Sequence, residues 1–129
     1  MIVLDASAAA ELVLETAVGA SVGARLRGEA IHAPAHLDIE TVGVIRRAVL
    51  RDLISERDGL AALGEFLDLP VRRWPTTPFV ARAYELRHTH TVADATYIAL
   101  AEQLPAVVVT CDRRLANAHG HAATVELLE

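Results

Sequence analysis

With 129 residues, 53% of them hydrophobic, the chain can bury the core of one domain and is too apolar to be disordered. A formal net charge of −5 argues against a general nucleic-acid coating protein, and no apolar run approaches the ~20 residues of a bilayer span. All twelve basic residues are arginines, which removes any mechanism that needs a lysine; the single cysteine, Cys111, excludes a disulfide framework and points to a reducing cytoplasm.

The first residues, "MIVLD", read as a buried strand over 2–4 that ends in an acid, with no basic region or cleavage site to suggest a signal peptide. "SAAAELVLE" (7–15) predicts a helix with Ser7 as its N-cap, and "AVGASVGARLRG" (17–28) a second one closed by Gly28. "AIHAP" (30–34) is a short strand stopped by Pro34. "HLDIETVGVIRRAVLRDLI" (36–54) is a long helix on which Leu37, Val44 and Ala48 share a stripe with Glu40. A helix over 56–68, a strand over 70–74 and helices over 79–88 and 92–104 follow. "AVVVT" (106–110) is the second strongly apolar strand, and a short helix (113–119) and a last strand (123–127) complete the chain.

Strands alternating with helices imply an α/β fold with a mainly parallel sheet, in one domain over residues 1–129. Near-continuous apolar strands fit a sheet covered on both faces. In such sheets, ligands bind outside the carboxyl ends of the strands. Four acids converge on that edge by position: Asp5 and Asp112 end the two most apolar strands, and Glu40 and Asp94 lie in the first turns of two helices. Gathered carboxylates repel unless a cation sits among them, and hard Mg²⁺ or Mn²⁺ suits oxygen ligands.

Each acid alone has a plainer reading. Asp5 and Asp94 would complement a helix dipole, Asp112 would cap the helix that begins at Arg113, and Glu40 would pair with Arg46 or Arg47 at the surface. Four on one edge favour the cation. Asp38 points off another side of its helix and reads as solvated. His88–Thr89–His90 and His119–Gly120–His121 have metal-ligand spacing but fall in separate loops, and Cys111 has no histidine–acid partnership. Arg46, Arg47, Arg51, Arg113 and Arg114 fit a phosphate grip or a solvated face equally. Phosphoryl-transfer folds with an aspartate after the first strand meet the phosphoryl group with a lysine. Neither GxxxxGK[ST] nor GxGxxG occurs, so metal-assisted hydrolysis survives.

"MIVLDASA", "APAHLDIETVGVIRRA", "TVADATYIALAEQL" and "VVVTCDRRLANA", in this order and spacing, resemble the PIN domain, specifically the VapC toxins of bacterial toxin–antitoxin pairs. The resemblance covers essentially the whole chain. It implies a three-layer α/β/α sandwich and a Mg²⁺- or Mn²⁺-dependent endoribonuclease. Asp5, Glu40, Asp94 and Asp112 fall on the family's four acidic positions, with Asp5, Asp94 and Asp112 holding metal and Ser7 and Thr110 as supporting hydroxyls. Val92 and Ala93 depart from the polar or aromatic residues often found before the third acid. The resemblance further implies a cognate VapB-like antitoxin, an RNA substrate and a cytoplasmic homodimer with no membrane association. Two other readings fit the residues: a metal-dependent nuclease acting on DNA or structured nucleic acid, and a non-catalytic binding or scaffold domain.

Overall fold

The computed structural model describes residues 1–129, and its centre is a strand of only three residues. β1 (Ile2–Leu4) is fully buried and pairs in parallel with β2 (Ile31–Pro34) on one side and β4 (Val107–Thr110) on the other. β3 (Val71–Trp74) extends the sheet beyond β2, and β5 (Thr124–Leu127) beyond β4; all four pairings are parallel, in the order β3-β2-β1-β4-β5. The chain winds outward from β1 to β3, then crosses back to lay β4 against the other side of β1. Its winding direction therefore reverses between β1 and β4, where the loops that leave the two strands part and open a crevice.

The connections supply the outer layers. α1 (Ala6–Val13) and α2 (Ala17–Leu26) link β1 to β2, and α3 (Leu37–Leu50) and α4 (Glu56–Asp68) link β2 to β3. A 3-10 turn (Thr77–Phe79), α5 (Val80–Glu85) and α6 (Val92–Gln103) lead to β4, and α7 (Arg113–Asn117) leads to β5. α1 packs on β4 and on α2, α3 and α4, while α6 packs on β1, β2 and β4 with α5 behind it. This is a three-layer α/β/α arrangement. α6 is buried without interruption from Ala95 to Ala101, as befits a helix enclosed on nearly every side.

The expected elements all form, and the differences lie at their ends. The first helix begins at Ala6 with Asp5 rather than Ser7 as its N-cap: the Asp5 carboxylate accepts the Ser7 amide (3.2 Å), and Ser7 itself already lies within the first turn. The second ends at Leu26, two residues before Gly28, which takes φ +76. α3 stops at Leu50 because Asp52 turns left-handed at φ 55, so 51–54 are not helical. Pro34 is the last paired residue of β2, where its missing N–H costs no ladder bond. On α3 the buried stripe is Leu37, Thr41, Ile45 and Ala48; Glu40 and Val44 flank it half-exposed. That small rotation turns the Glu40 carboxylate toward the sheet edge instead of into the core.

Helices α1 and α2 approach each other so closely that a Cβ on Gly19 would lie 2.0 Å from the carbonyl oxygen of Glu11, whereas one on Gly64 in α4 would meet nothing within 4 Å. Gly19→Ala should therefore lower stability by about 2–3 kcal/mol through overpacking. Gly64→Ala should raise it by about 0.5–1 kcal/mol through helix propensity. Chemical denaturation of the two variants checks both signs.

Candidate active site

Asp5 leaves β1 at the crevice with only 5% of its surface exposed. A buried carboxylate needs donors, and three are supplied to one oxygen. Oδ2 accepts from the Ser7 amide (3.2 Å), from the Ser7 hydroxyl and from the Thr110 hydroxyl (2.8 Å). The same hydroxyls accept in turn from the other strand end: Cys111 N–H donates to Ser7 Oγ (2.9 Å), and Asp112 N–H to Thr110 Oγ1 (3.0 Å). Ser7 and Thr110 thus sew the exit of β1 to the exit of β4. Asp5 Oδ1 receives no hydrogen bond from the chain. Burial raises the Asp5 carboxyl above its ordinary range against the pull of these donors, and the charge of Asp94 adds to the rise.

Asp112 caps α7, its Oδ1 accepting from the Arg114 amide (2.8 Å) and its Oδ2 from the Arg114 guanidinium (3.3 Å). Burial works to raise this carboxyl, but the Arg114 hydrogen bonds outweigh it and the group is held below the usual carboxylate range. The capping role and the edge position coincide here, as they do at Asp5. Asp94 is the third residue of α6; Thr91 caps that helix by accepting the Asp94 amide (3.1 Å), and the Asp94 carboxylate itself accepts no hydrogen bond.

Glu40 forms no pair with Arg46 or Arg47. Its Oε2 accepts a hydrogen bond from Tyr97 Oη (2.6 Å) and lies 3.8 Å from His36 Nε2. Tyr97 is fully buried, and burial, the bond to Glu40 and the charges of Asp5, Glu40 and Asp94 together drive its hydroxyl far above its ordinary value, so it stays a donor. The His36 ring packs on Tyr97 with centroids 4.9 Å apart, and His36 Nε2–H donates to the carbonyl of Ala93 (3.1 Å), next to Asp94. Neither residue was expected at the site. Tyr97, three residues beyond Asp94 on the same helical face, carried a signal; His36 read only as the first residue of a helix.

Electrostatic reach links the four acids: Tyr97 feels Asp5, Glu40 and Asp94, and Arg114 feels Asp112 and Asp94. Yet no three His, Cys, Asp or Glu side chains stand close enough to enclose an ion by themselves. Mutual repulsion gives the reason, since each carboxylate with a local donor turns toward it. The donor set nonetheless fits a hard divalent cation. Mg²⁺ is ordinarily held by one or two carboxylates and keeps several waters, and Asp5 Oδ1 and the Asp94 carboxylate are free of protein donors. Asp38, expected to be solvated, instead accepts from Arg73 Nε (2.8 Å). The Cys111 thiol is pushed up to about 11 by burial and has no nucleophilic character at neutral pH.

Comparison with known proteins follows the same lines. The PIN domain model matches residues 2–120. Ribonuclease VapC12 of Mycobacterium tuberculosis is 62% identical over 128 residues, 99% of either chain. Ribonuclease VapC9 of the same organism is 36% identical over 117 residues, covering 91% of this chain and 90% of that one. The crystal structure of Mycobacterium tuberculosis VapC20, described as a Sarcin-Ricin loop cleaving toxin, superposes with TM-score 0.67 at 19% identity, over 89% of this chain and 92% of that one. A Pyrobaculum aerophilum protein, PAE2754, gives TM-score 0.69 at 18% identity, over 96% and 81%.

Because Asp5 holds its proton more tightly folded than unfolded, its ionisation removes stability as pH rises from 3.8 through the raised value. Without divalent cations, Asp5→Asn should therefore melt higher than the parent at pH 7, and the gain should vanish below pH 3.8. Thermal melts across that range check the sign.

Proposed function

The chain belongs to the PIN domain family, and from that premise we propose that it is a divalent-metal-dependent endoribonuclease, the toxin of a toxin–antitoxin pair. The 62% identity to a ribonuclease along the whole chain carries the assignment. The arrangement of four acids at the β1/β4 crevice supports it. Asp5, Asp94 and Asp112 are the residues we assign to hold Mg²⁺ or Mn²⁺. When bound, such an ion supplies hydroxide at neutral pH and neutralises charge on the phosphodiester.

The chain's own residues do the remaining work. Ser7 and Thr110 hold Oδ2 of Asp5 and so aim Oδ1 at the crevice. Glu40, fixed by Tyr97, orients the attacking water or accepts its proton. Arg114 is highly exposed beside Asp112 and offers a permanent cation to the RNA backbone. Water, rather than the RNA 2′-hydroxyl, then attacks, and the product carries a 5′-phosphate.

The antitoxin is assigned to the face of α3 and α4. Leu50, Leu53, Leu60 and Leu67 stand exposed there, Leu60 at 71%, and Val42, Ile45 and Leu63 line an apolar groove between the helices. Such a groove takes the apolar face of a partner helix. No helix of the chain is long and apolar enough to cross a membrane, and a cytoplasmic homodimer is the working form we propose.

Purified protein incubated with total RNA in Mg²⁺ should yield 5′-phosphate ends, and EDTA should stop the cleavage. DNA oligonucleotides of matching sequence should stay intact. Asp94→Asn should lower the rate at least 100-fold while the circular dichroism is retained; cleavage at the parental rate would remove Asp94 from the site. Leu60→Asp should leave cleavage intact and weaken antitoxin binding at least 10-fold, as measured by calorimetry.

A further inference from the structure

Two loops with histidine pairs lie 31 positions apart in sequence, yet the fold brings one member of each pair into contact. His90 precedes α6, His121 follows α7, and their rings meet edge to face with centroids 5.3 Å apart. The other nitrogen of each ring is already engaged. Thr89 Oγ1 donates to the carbonyl of Leu86 (3.3 Å) and shares a hydrogen bond with His90 Nδ1 (2.8 Å). His121 Nε2–H donates to the carbonyl of Ala118 (3.2 Å). With protons on His90 Nδ1 and His121 Nε2, the nitrogens left as lone pairs are His90 Nε2 and His121 Nδ1. Both nitrogens are buried, and neither has a partner in the protein.

Buried acceptors without donors are costly and call for an explanation. Two neutral imidazoles, each oriented through its far nitrogen by a carbonyl or hydroxyl, have the outer-shell pattern of metal-ligating histidines. The spacing agrees as well. Two imidazoles bound tetrahedrally at about 2.0–2.1 Å to one zinc have ring centres about 5–5.5 Å apart.

We infer that His90 and His121 form a second metal site, selective for a borderline transition ion of the zinc type, at a cavity that His90 lines together with Asp94 and Arg114. It is an open site with two protein ligands, since no third His, Cys, Asp or Glu closes it. The exposed His119 on the same loop is near enough for its charge to act on His90. Burial, and then the charge of His121, lowers the affinity of His90 for a proton, which keeps its lone pair available at neutral pH. An ion here would pin the loop after α7 to the segment entering α6, the helix that carries Asp94. Imidazole nitrogen favours zinc over magnesium, so the two sites sort their ions by ligand softness.

Calorimetric titration of the full chain with ZnCl₂, in millimolar Mg²⁺ at pH 7.5, tests the inference. One zinc per chain should bind in the parent and in Asp5→Asn, and the affinity should fall at least 10-fold in His121→Ala and in His90→Gln. Co²⁺ should give the visible absorption of a nitrogen-ligated ion in the parent and lose it in His121→Ala, whose half-exposed position leaves the fold intact. Absence of zinc binding over Mg²⁺ overturns the inference. So does binding that Asp5→Asn abolishes and the histidine variants leave unchanged, which would place the zinc among the carboxylates.

Discussion

A single oxygen, Oδ2 of Asp5, ties together the exits of the two central strands, β1 and β4. The hydroxyls of Ser7 and Thr110 donate to it while accepting amides from Cys111 and Asp112. The chain thereby spends its local donors on one side of the carboxylate and leaves the other side bare. A fully satisfied carboxylate would be a structural cap and nothing more. A fully bare one, this deeply buried, would protonate and lose its charge. The split arrangement offsets part of the cost of burial, which still raises the proton affinity of the carboxyl, and leaves Oδ1 without a donor from the chain.

The same economy recurs at Glu40, where a buried phenol stands in for a positive charge. A tyrosine in that environment cannot ionise, so it restrains the carboxylate without neutralising it. His36 adds a mechanical role by tying the start of α3 to the start of α6. Two helices that are distant in sequence thus present their acids at a fixed spacing, and the charges themselves contribute only repulsion.

The places of the acids, at the ends of β1 and β4 and in the first turns of α3 and α6, were legible in the sequence because each follows a strong local signal, an apolar strand or a helix start. The capping roles were legible too, although Asp5 and Ser7 exchanged places. His36 was not, since its contact lies 57 positions away and leaves no local trace, and Tyr97 showed only its place one turn beyond Asp94 and not its bond to Glu40, equally distant in sequence. The histidine motifs were read as two unrelated loops for the same reason. On α3 the sequence stripe was off by one residue, Val44 for Ile45, because the 3.6-residue period admits both and only packing against α4 chooses between them.

The pairing of β1 with β4 joins Ile2–Leu4 to Val107–Val109. A growing chain therefore carries Asp5 and Glu40 long before it has the strand that pairs with β1 on its other side. Until residue 112 has left the ribosome, Asp5 lacks the Thr110 hydroxyl and the sheet lacks its central seam. The exit of β1 can therefore be sewn to the exit of β4 only once 112 of the 129 residues have been made.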